Sequence, residues 1–290
     1  MLQMVKRIIL FCSIAAVLNG CDMLDLKGLV VPTSQVVGDR FDQSISMTSD
    51  KAVSSIEVDE EYTFYVCTDP HINETSVNLE KYSAALRGDA KADFGVQLGD
   101  CTDKIGKLPR YMEAIKYDPD KHSYNYPIFT VLGNHDLFFD GWEEYKSLIG
   151  PSVYWFEAKS ASSKDLYIVL DTATGTLGRK QTRWIKSFLD DNRSSYRHCI
   201  IMTHTNIFNS DHTQNTSGNL NFDETLELMD FLSENKVDLV LQGHDHYRED
   251  LTFNGVRYTV VGTIRDEIEA PEYLRVIVTE KGLQLVWELL

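Results

Sequence analysis

Five short stretches of this chain gather side chains that bind metal ions: Asp69-Pro-His71, Gly99-Asp100, Gly133-Asn-His-Asp136, His204 and Gly243-His-Asp-His246. Carboxylate, imidazole and carboxamide donors mixed in this way suit Mn, Fe or Zn better than Mg or Ca. Five of the eight histidines fall inside these stretches, a clustering that scattered core histidines do not predict. Phosphate ester cleavage is one chemistry that would call for such a donor set. Two divalent ions about 3.5–4 Å apart neutralise charge on phosphoryl oxygens and activate a bridging hydroxide at neutral pH, which is what cleavage of a phosphate ester requires. A pair of cations that close needs an anionic ligand between them, and a carboxylate at a strand end can serve.

The elements that must position these residues are strands. Each stretch directly follows an apolar run: Phe64–Thr68, Phe94–Leu98, Tyr126–Leu132, Ile200–Thr203 and Val237–Gln242. Gly133 is expected to let the chain turn sharply, bringing Asn134 and His135 over a sheet edge. On an extended backbone residues two apart point the same way, so Asp69 with His71, and His244 with His246, are expected to reach one compact cluster. Between the strands lie helical patterns at 76–87, 108–116, 142–149, 179–190 and 223–235. The C-terminal part changes character. Asn254-Gly255 sits between alternating residues, a hairpin signal, and 272–279 and 283–289 flank a second turn. Alternating βα units closed by antiparallel strands predict an α/β fold, a two-sheet β-sandwich flanked by helices.

The first twenty residues read as an export signal: Lys6 and Arg7, then an apolar run from Ile8 to Leu18 that is too short to span a bilayer. Leu18-Asn19-Gly20-Cys21 resembles the lipobox of bacterial lipoproteins, with Cys21 the lipidated residue; an ordinary cleaved secretory signal is the alternative. Either product is exported, and the first places it on a bacterial membrane, at its periplasmic or cell-surface face. Residues 21–59 read as a lipidated tether with a short strand near its end, and 60–290 as one large domain. The net charge is −16 with no basic run, which argues against nucleic acid held along an electropositive surface. Cys67, Cys101 and Cys199 suit no zinc framework and read as small buried hydrophobes, one disulfide among them remaining an alternative.

Taken together, Asp69-x-His71, Gly99-Asp100, Gly133-Asn-His-Asp136, His204 and Gly243-His-x-His246 resemble, in order and spacing, the calcineurin-like metallophosphoesterase superfamily, over about residues 60–290. The resemblance implies a four-layer fold, two divalent ions and a small phosphate-ester substrate. By position it implies that Asp69, His71 and His246 bind one ion, that Asn134, His204 and His244 bind the other, and that Asp100 bridges. It makes His135 no ligand but the residue that contacts the phosphate or protonates the leaving oxygen. Purple acid phosphatases carry a tyrosine three residues after the bridging aspartate; here that position is Asp103, which sets the chain apart from the iron-tyrosinate subgroup. His204-Thr-Asn-Ile-Phe208 likewise lacks the bulky-Pro segment that many members carry.

Outside the motifs, Asp103 and Asp171 read as turn or capping residues, Asp136 and Asp245 as loop supports, and His122, His198 and His212 as surface or loop histidines. The polar stretch 206–221 is either a pocket wall or a solvated loop. Tyr111, Tyr124, Tyr126, Phe138, Phe139 and Trp142 lie near motif loops, where they stack on a substrate or belong to the core. Two functions of different kinds fit: a two-metal hydrolase of a phosphomonoester or phosphodiester, and a catalytically idle, metal-holding surface lipoprotein. Oligomeric state leaves no sign in the sequence.

Overall fold

The apolar strands and amphipathic helices assemble into two sheets lying face to face. The computed structural model describes residues 36–104, 106–116, 126–208 and 219–290; the leader, Cys21, Tyr124, His122 and His212 lie outside them. In chain order the elements begin with α1 (Val37–Thr48), β1 (Ser55–Glu57), β2 (Tyr62–Cys67), α2 (Val77–Gly88), β3 (Ala92–Gln97) and α3 (Leu108–Ile115). Next come β4 (Ile128–Thr130), a 3₁₀ stretch His135–Asp140, α4 (Gly141–Leu148), β5 (Tyr154–Lys159), β6 (Lys164–Val169) and α5 (Gly178–Asn192). The chain closes with β7 (Cys199–Met202), α6 (Phe222–Glu234), β8 (Leu239–Gln242), β9 (Glu249–Phe253), β10 (Val256–Val260), β11 (Glu272–Thr279) and β12 (Gly282–Leu289).

One sheet has seven strands in the order β1-β5-β6-β7-β8-β10-β9, the other five in the order β12-β11-β2-β3-β4. Their facing sides bury Phe64, Phe94, Phe129, Phe156 and Tyr167, with Phe129 stacked on Phe156 at 3.6 Å between ring centroids. Leu79 and Tyr82 of α2, Tyr111 of α3 and Trp142 and Tyr145 of α4 cover the outer face of the smaller sheet. Ile185 and Leu189 of α5 and Leu228 and Leu232 of α6 cover the larger. The result is helix, sheet, sheet, helix: the four-layer α/β arrangement. Cys67, Cys101 and Cys199 are all buried free thiols.

Residues 37–57, assigned to a tether by their polar composition, are instead built into the fold. Val37, Arg40, Phe41 and Ser44 repeat at helical spacing and all are buried. The Arg40 guanidinium forks onto Asp171, Nε 2.8 Å from Oδ2 and Nη2 3.0 Å from Oδ1, and neither side chain is exposed. Asp171 is therefore half of a buried ion pair as well as the turn residue expected, its Oδ1 also accepting from Ala173 N at 3.2 Å. β1 then pairs in parallel with β5 at the edge of the larger sheet. His198, read as a surface or loop residue, is also buried. One ring nitrogen meets Asp238 Oδ1 at 3.2 Å and the other donates to the Thr279 carbonyl at 2.8 Å.

The topology decides where chemistry can occur. β2, β3 and β4 run parallel in one sheet, β7 and β8 parallel in the other. Their C-terminal ends open on one side of the sandwich, and all five motif stretches follow those ends.

Candidate metal centre

Close approach of the two sheet edges brings the stretches together. Gly243 N donates to the His204 carbonyl at 2.9 Å, and Asp69 N to the Gly99 carbonyl at 3.2 Å. A Cβ on Gly133 would lie 2.0 Å from Asp100 N, and one on Gly243 would lie 2.1 Å from Thr68 Oγ1. Gly133 lacks a positive φ, so its glycine serves this contact and not the sharp turn that the sequence suggests.

Asp69, His71, Asp100, His244 and His246 all adopt positive φ, between 46° and 71°. The strands stop before these residues, so the extended backbone expected for Asp69-x-His71 and His244-x-His246 is absent. Left-handed turns aim the side chains inward instead. That region costs an L residue about 1–2 kcal/mol, and such strain gathers where the surroundings over-determine a site. Here hydrogen bonds fix it: His71 N donates to the Asp100 carbonyl at 3.1 Å, His244 N to Asp69 Oδ2 at 2.9 Å, and Thr263 Oγ1 to the Asp69 carbonyl at 2.7 Å.

Three groups of donor atoms result among the described residues: two that share Asp100, and a third, His71 with Asp103 and His135, at their flank. Asp69, His71, Asp100 and His246 offer atoms within 4.8 Å of one another, as do Asp100, His204 and His244. In the first, His71 Nε2 lies 3.0 Å from His246 Nε2, 3.6 Å from Asp69 Oδ1 and 3.6 Å from Asp100 Oδ2. In the second, His204 Nε2 lies 3.4 Å from Asp100 Oδ1, 3.0 Å from Asn134 Oδ1 and 3.2 Å from His244 Nδ1. Asp100 belongs to both of these groups, turning one oxygen to each.

These donors fit divalent metal. Asp69 Oδ1 is buried with no hydrogen-bond partner, and an orphaned carboxylate oxygen is costly unless a cation meets it. Tautomers agree. His204 Nδ1 donates to the Leu98 carbonyl at 2.8 Å and His71 Nδ1 to Asp103 Oδ1 at 2.6 Å, which leaves each Nε2 lone pair facing inward. Burial would raise the Asp69 and Asp100 carboxyls, yet His204 and its neighbours hold both below the usual range. Burial would lower His204, but Asp100 and Asp69 lift it to about 10. The carboxylates around His204 thus favour positive charge at this point, as they would favour a cation.

His135 stands beside this arrangement. Its backbone N–H donates to Asp100 Oδ1 at 2.8 Å and its ring is one-third exposed. Burial lowers its imidazole below the ordinary value. Asp136 accepts from Gly133 N at 2.9 Å and Thr102 N at 3.3 Å, and Asp245 accepts from Asn206 Nδ2 at 2.8 Å, loop-holding contacts in both cases. Of the aromatic residues, Tyr111 and Trp142 are buried in the core, whereas Phe138 and Phe139 are exposed.

The model of the calcineurin-like phosphoesterase family matches residues 62–248, the span that carries every motif. The chain belongs to the calcineurin-like phosphoesterases. It is, accordingly, a metal-dependent hydrolase. No curated protein matches it. Among solved structures, the chain resembles GAP50, the anchor in the inner membrane complex of Plasmodium, at TM-score 0.63 and 16% identity over 78% of this chain and 84% of that one. A dimetal phosphatase from Danio rerio gives TM-score 0.59 and 14% identity over 78% and 98%. Purple acid phosphatase PPD1 from yellow lupin (Lupinus luteus) gives 0.62 and 15% over 80% of this chain and 52% of that one. At such identities the likeness is one of fold.

Sequence reasoning missed two residues beside this phosphoesterase site. Asp103, read as a turn residue, packs against both His71 and His135. Its only sequence signal is its place three residues after Asp100. Arg265, 3.8 Å from Asp103 Oδ2, follows β10 and carries no motif at all.

Proposed function

We propose that this calcineurin-like phosphoesterase is a two-metal hydrolase of a phosphomonoester or phosphodiester. The observation that carries the reading is the division of Asp100: Oδ2 faces His71 and Oδ1 faces His204, so one carboxylate joins two separate donor groups. Asp69, His71 and His246 would hold one ion, Asn134, His204 and His244 the other, with Asp100 between them. Divalent ions at such a pair of sites neutralise phosphoryl charge and make a nucleophile available at neutral pH.

The chain's own residues do the rest. Asp103 holds His71 through Nδ1, directing Nε2 inward. Leu98 does the same for His204 through its carbonyl. His135, tied by its backbone to Asp100 and one-third exposed at its ring, donates to the phosphoryl or leaving oxygen; positioned proton donors of this kind contribute about 10²–10⁴-fold. Arg265 stands at the rim with a guanidinium that offsets the acidity of the carboxylates around it. Mn, Fe and Zn suit the donor set.

On sequence grounds we further place the protein outside the cytoplasm, anchored by lipid at Cys21. Intact mass of the membrane-extracted chain tests that anchor: an acylated N-terminus at Cys21 supports it, and an unmodified one contradicts it.

The test of function uses residues 22–290 loaded with Mn²⁺ and assayed on p-nitrophenyl phosphate and bis-p-nitrophenyl phosphate. Turnover that is lost in Asn134→Ala supports the hydrolase, and the preferred ester identifies a monoesterase or diesterase. No turnover of either ester, with metal bound, favours a protein that holds metal without using it.

A further inference from the structure

Between Asp136 and Gly141 the chain exposes what its composition would bury. Leu137 and Trp142, on either side, are packed into the core, yet Phe138 is 43% and Phe139 is 70% exposed. The backbone enforces this. Phe139 sits at φ 55°, ψ 44°, and Asp140 follows at φ 66°, ψ 29°. The left-handed region is uphill for a phenylalanine, which gains nothing there from a local side-chain hydrogen bond as an aspartate does. The loop is also closed tightly: a Cβ on Gly141 would lie 2.0 Å from the Asp136 carbonyl oxygen. Phe139 is therefore turned out at a cost in both backbone conformation and lost burial.

One exposed ring lies beside the site and the other lies next to it. The Phe138 ring is 4.6 Å from the His135 ring, centroid to centroid, and 6.5 Å from that of Phe139, to which it is nearly perpendicular. His135 is the residue assigned above to the phosphoryl or leaving oxygen, so a leaving group at His135 would be within reach of the Phe138 ring. An uncharged flat ring also suits the electrostatics, since stacking asks for no further cation at a site rich in carboxylates.

We propose that Phe138 and Phe139 form the leaving-group subsite and select esters whose leaving alcohol carries a flat aromatic ring, a nucleoside or a simple arylalkyl group. This rests on the phosphohydrolase reading given above.

The test compares matched primary-alcohol esters, as monoesters and as methyl diesters: adenosine 5′-phosphate against ribose 5-phosphate, and benzyl phosphate against ethyl phosphate. Stacking of a base on an aromatic side chain corresponds to roughly ten- to hundredfold. The ring-bearing member of one pair should lead in kcat/KM by that factor, and the pair that shows it separates nucleoside from simple aryl. The ratio should collapse in Phe138→Ala and Phe139→Ala, persist in Phe139→Tyr, and persist in Phe222→Ala, an exposed phenylalanine on α6. Calorimetric titration of the products adenosine and benzyl alcohol supplies a readout apart from turnover, with binding lost in Phe139→Ala. Phe139→Gly relieves the backbone, so Tm should hold or rise while the ratio falls.

A ratio equal in wild type and variants, with the esters still cleaved, overturns the subsite and leaves the hydrolase standing. No cleavage of any ester by metal-loaded wild type overturns both. A lower Tm in Phe139→Gly with an unchanged ratio makes the residue structural and overturns the subsite. Loss of co-sedimentation with phosphatidylglycerol vesicles in Phe139→Ala, again with an unchanged ratio, assigns the rings to lipid and overturns it too.

Discussion

His71 and His135 meet at one carboxylate: Asp103 Oδ1 lies 2.6 Å from Nδ1 of His71 and 3.4 Å from Nδ1 of His135. The two rings stand nearly perpendicular, 4.7 Å apart. A single side chain is thus placed to orient both the proposed metal donor His71 and His135, the residue proposed to serve the substrate.

Asp103→Asn should keep the fold while loosening His71. Removing a partner that orients a ligating histidine costs about 10–100-fold in metal affinity or activity. Competition with a chromogenic chelator measures the affinity. An unchanged metal affinity together with unchanged turnover would return Asp103 to the status of a turn residue.

Stability of the metal-free protein should depend on pH through His204. Its unfolded value is about 6.5, and in the fold Asp100 and Asp69 outweigh burial and raise it to about 10. Between those values the folded chain binds more protons than the unfolded chain, so this contribution is complete below about 6.5 and is lost as pH rises through about 10. Tm in the presence of chelator should fall across that window. With Mn²⁺ bound the fall should be smaller, because the cation takes the proton's place. A metal-free Tm that is flat from pH 6.5 to 10 would contradict the assignment.

The N-terminal helix makes a separate prediction. Arg40→Met strands Asp171 in the interior, and breaking a buried pair costs about 3–5 kcal/mol. Arg40→Met with Asp171→Leu should recover most of that loss. Urea unfolding reads both. A single substitution that leaves the midpoint unmoved would mean that residues 37–48 contribute nothing to the stability of the domain.

Much of this was legible in the sequence because it is local. An apolar run followed by Asp, Asn or His marks a strand and its end in a few residues, and the helices at 77–88, 108–115 and 178–192 lie within two residues of their expected bounds. What escaped is relational. Arg40 and Asp171 are 131 positions apart, and the buried arginine disguised its helix as polar linker. The convergence of Asp69, His71, His244 and His246 was anticipated, but through alternation on a strand. The structure achieves it through left-handed turns, which no side-chain pattern announces. Asp103 acquires its role only when the loop after β3 folds against the one after β4.

The central claim is that Asp100 joins two metal sites while His135 serves the substrate alone. Metal content of purified wild type, Asp100→Asn and His135→Ala, measured by inductively coupled plasma mass spectrometry beside turnover, tests it directly. The claim predicts two ions per chain in wild type, loss of both ions and of activity in Asp100→Asn, and full metal content with about 10²–10⁴-fold lower turnover in His135→Ala. One ion per chain in wild type, or equal metal loss in the two variants, would contradict it.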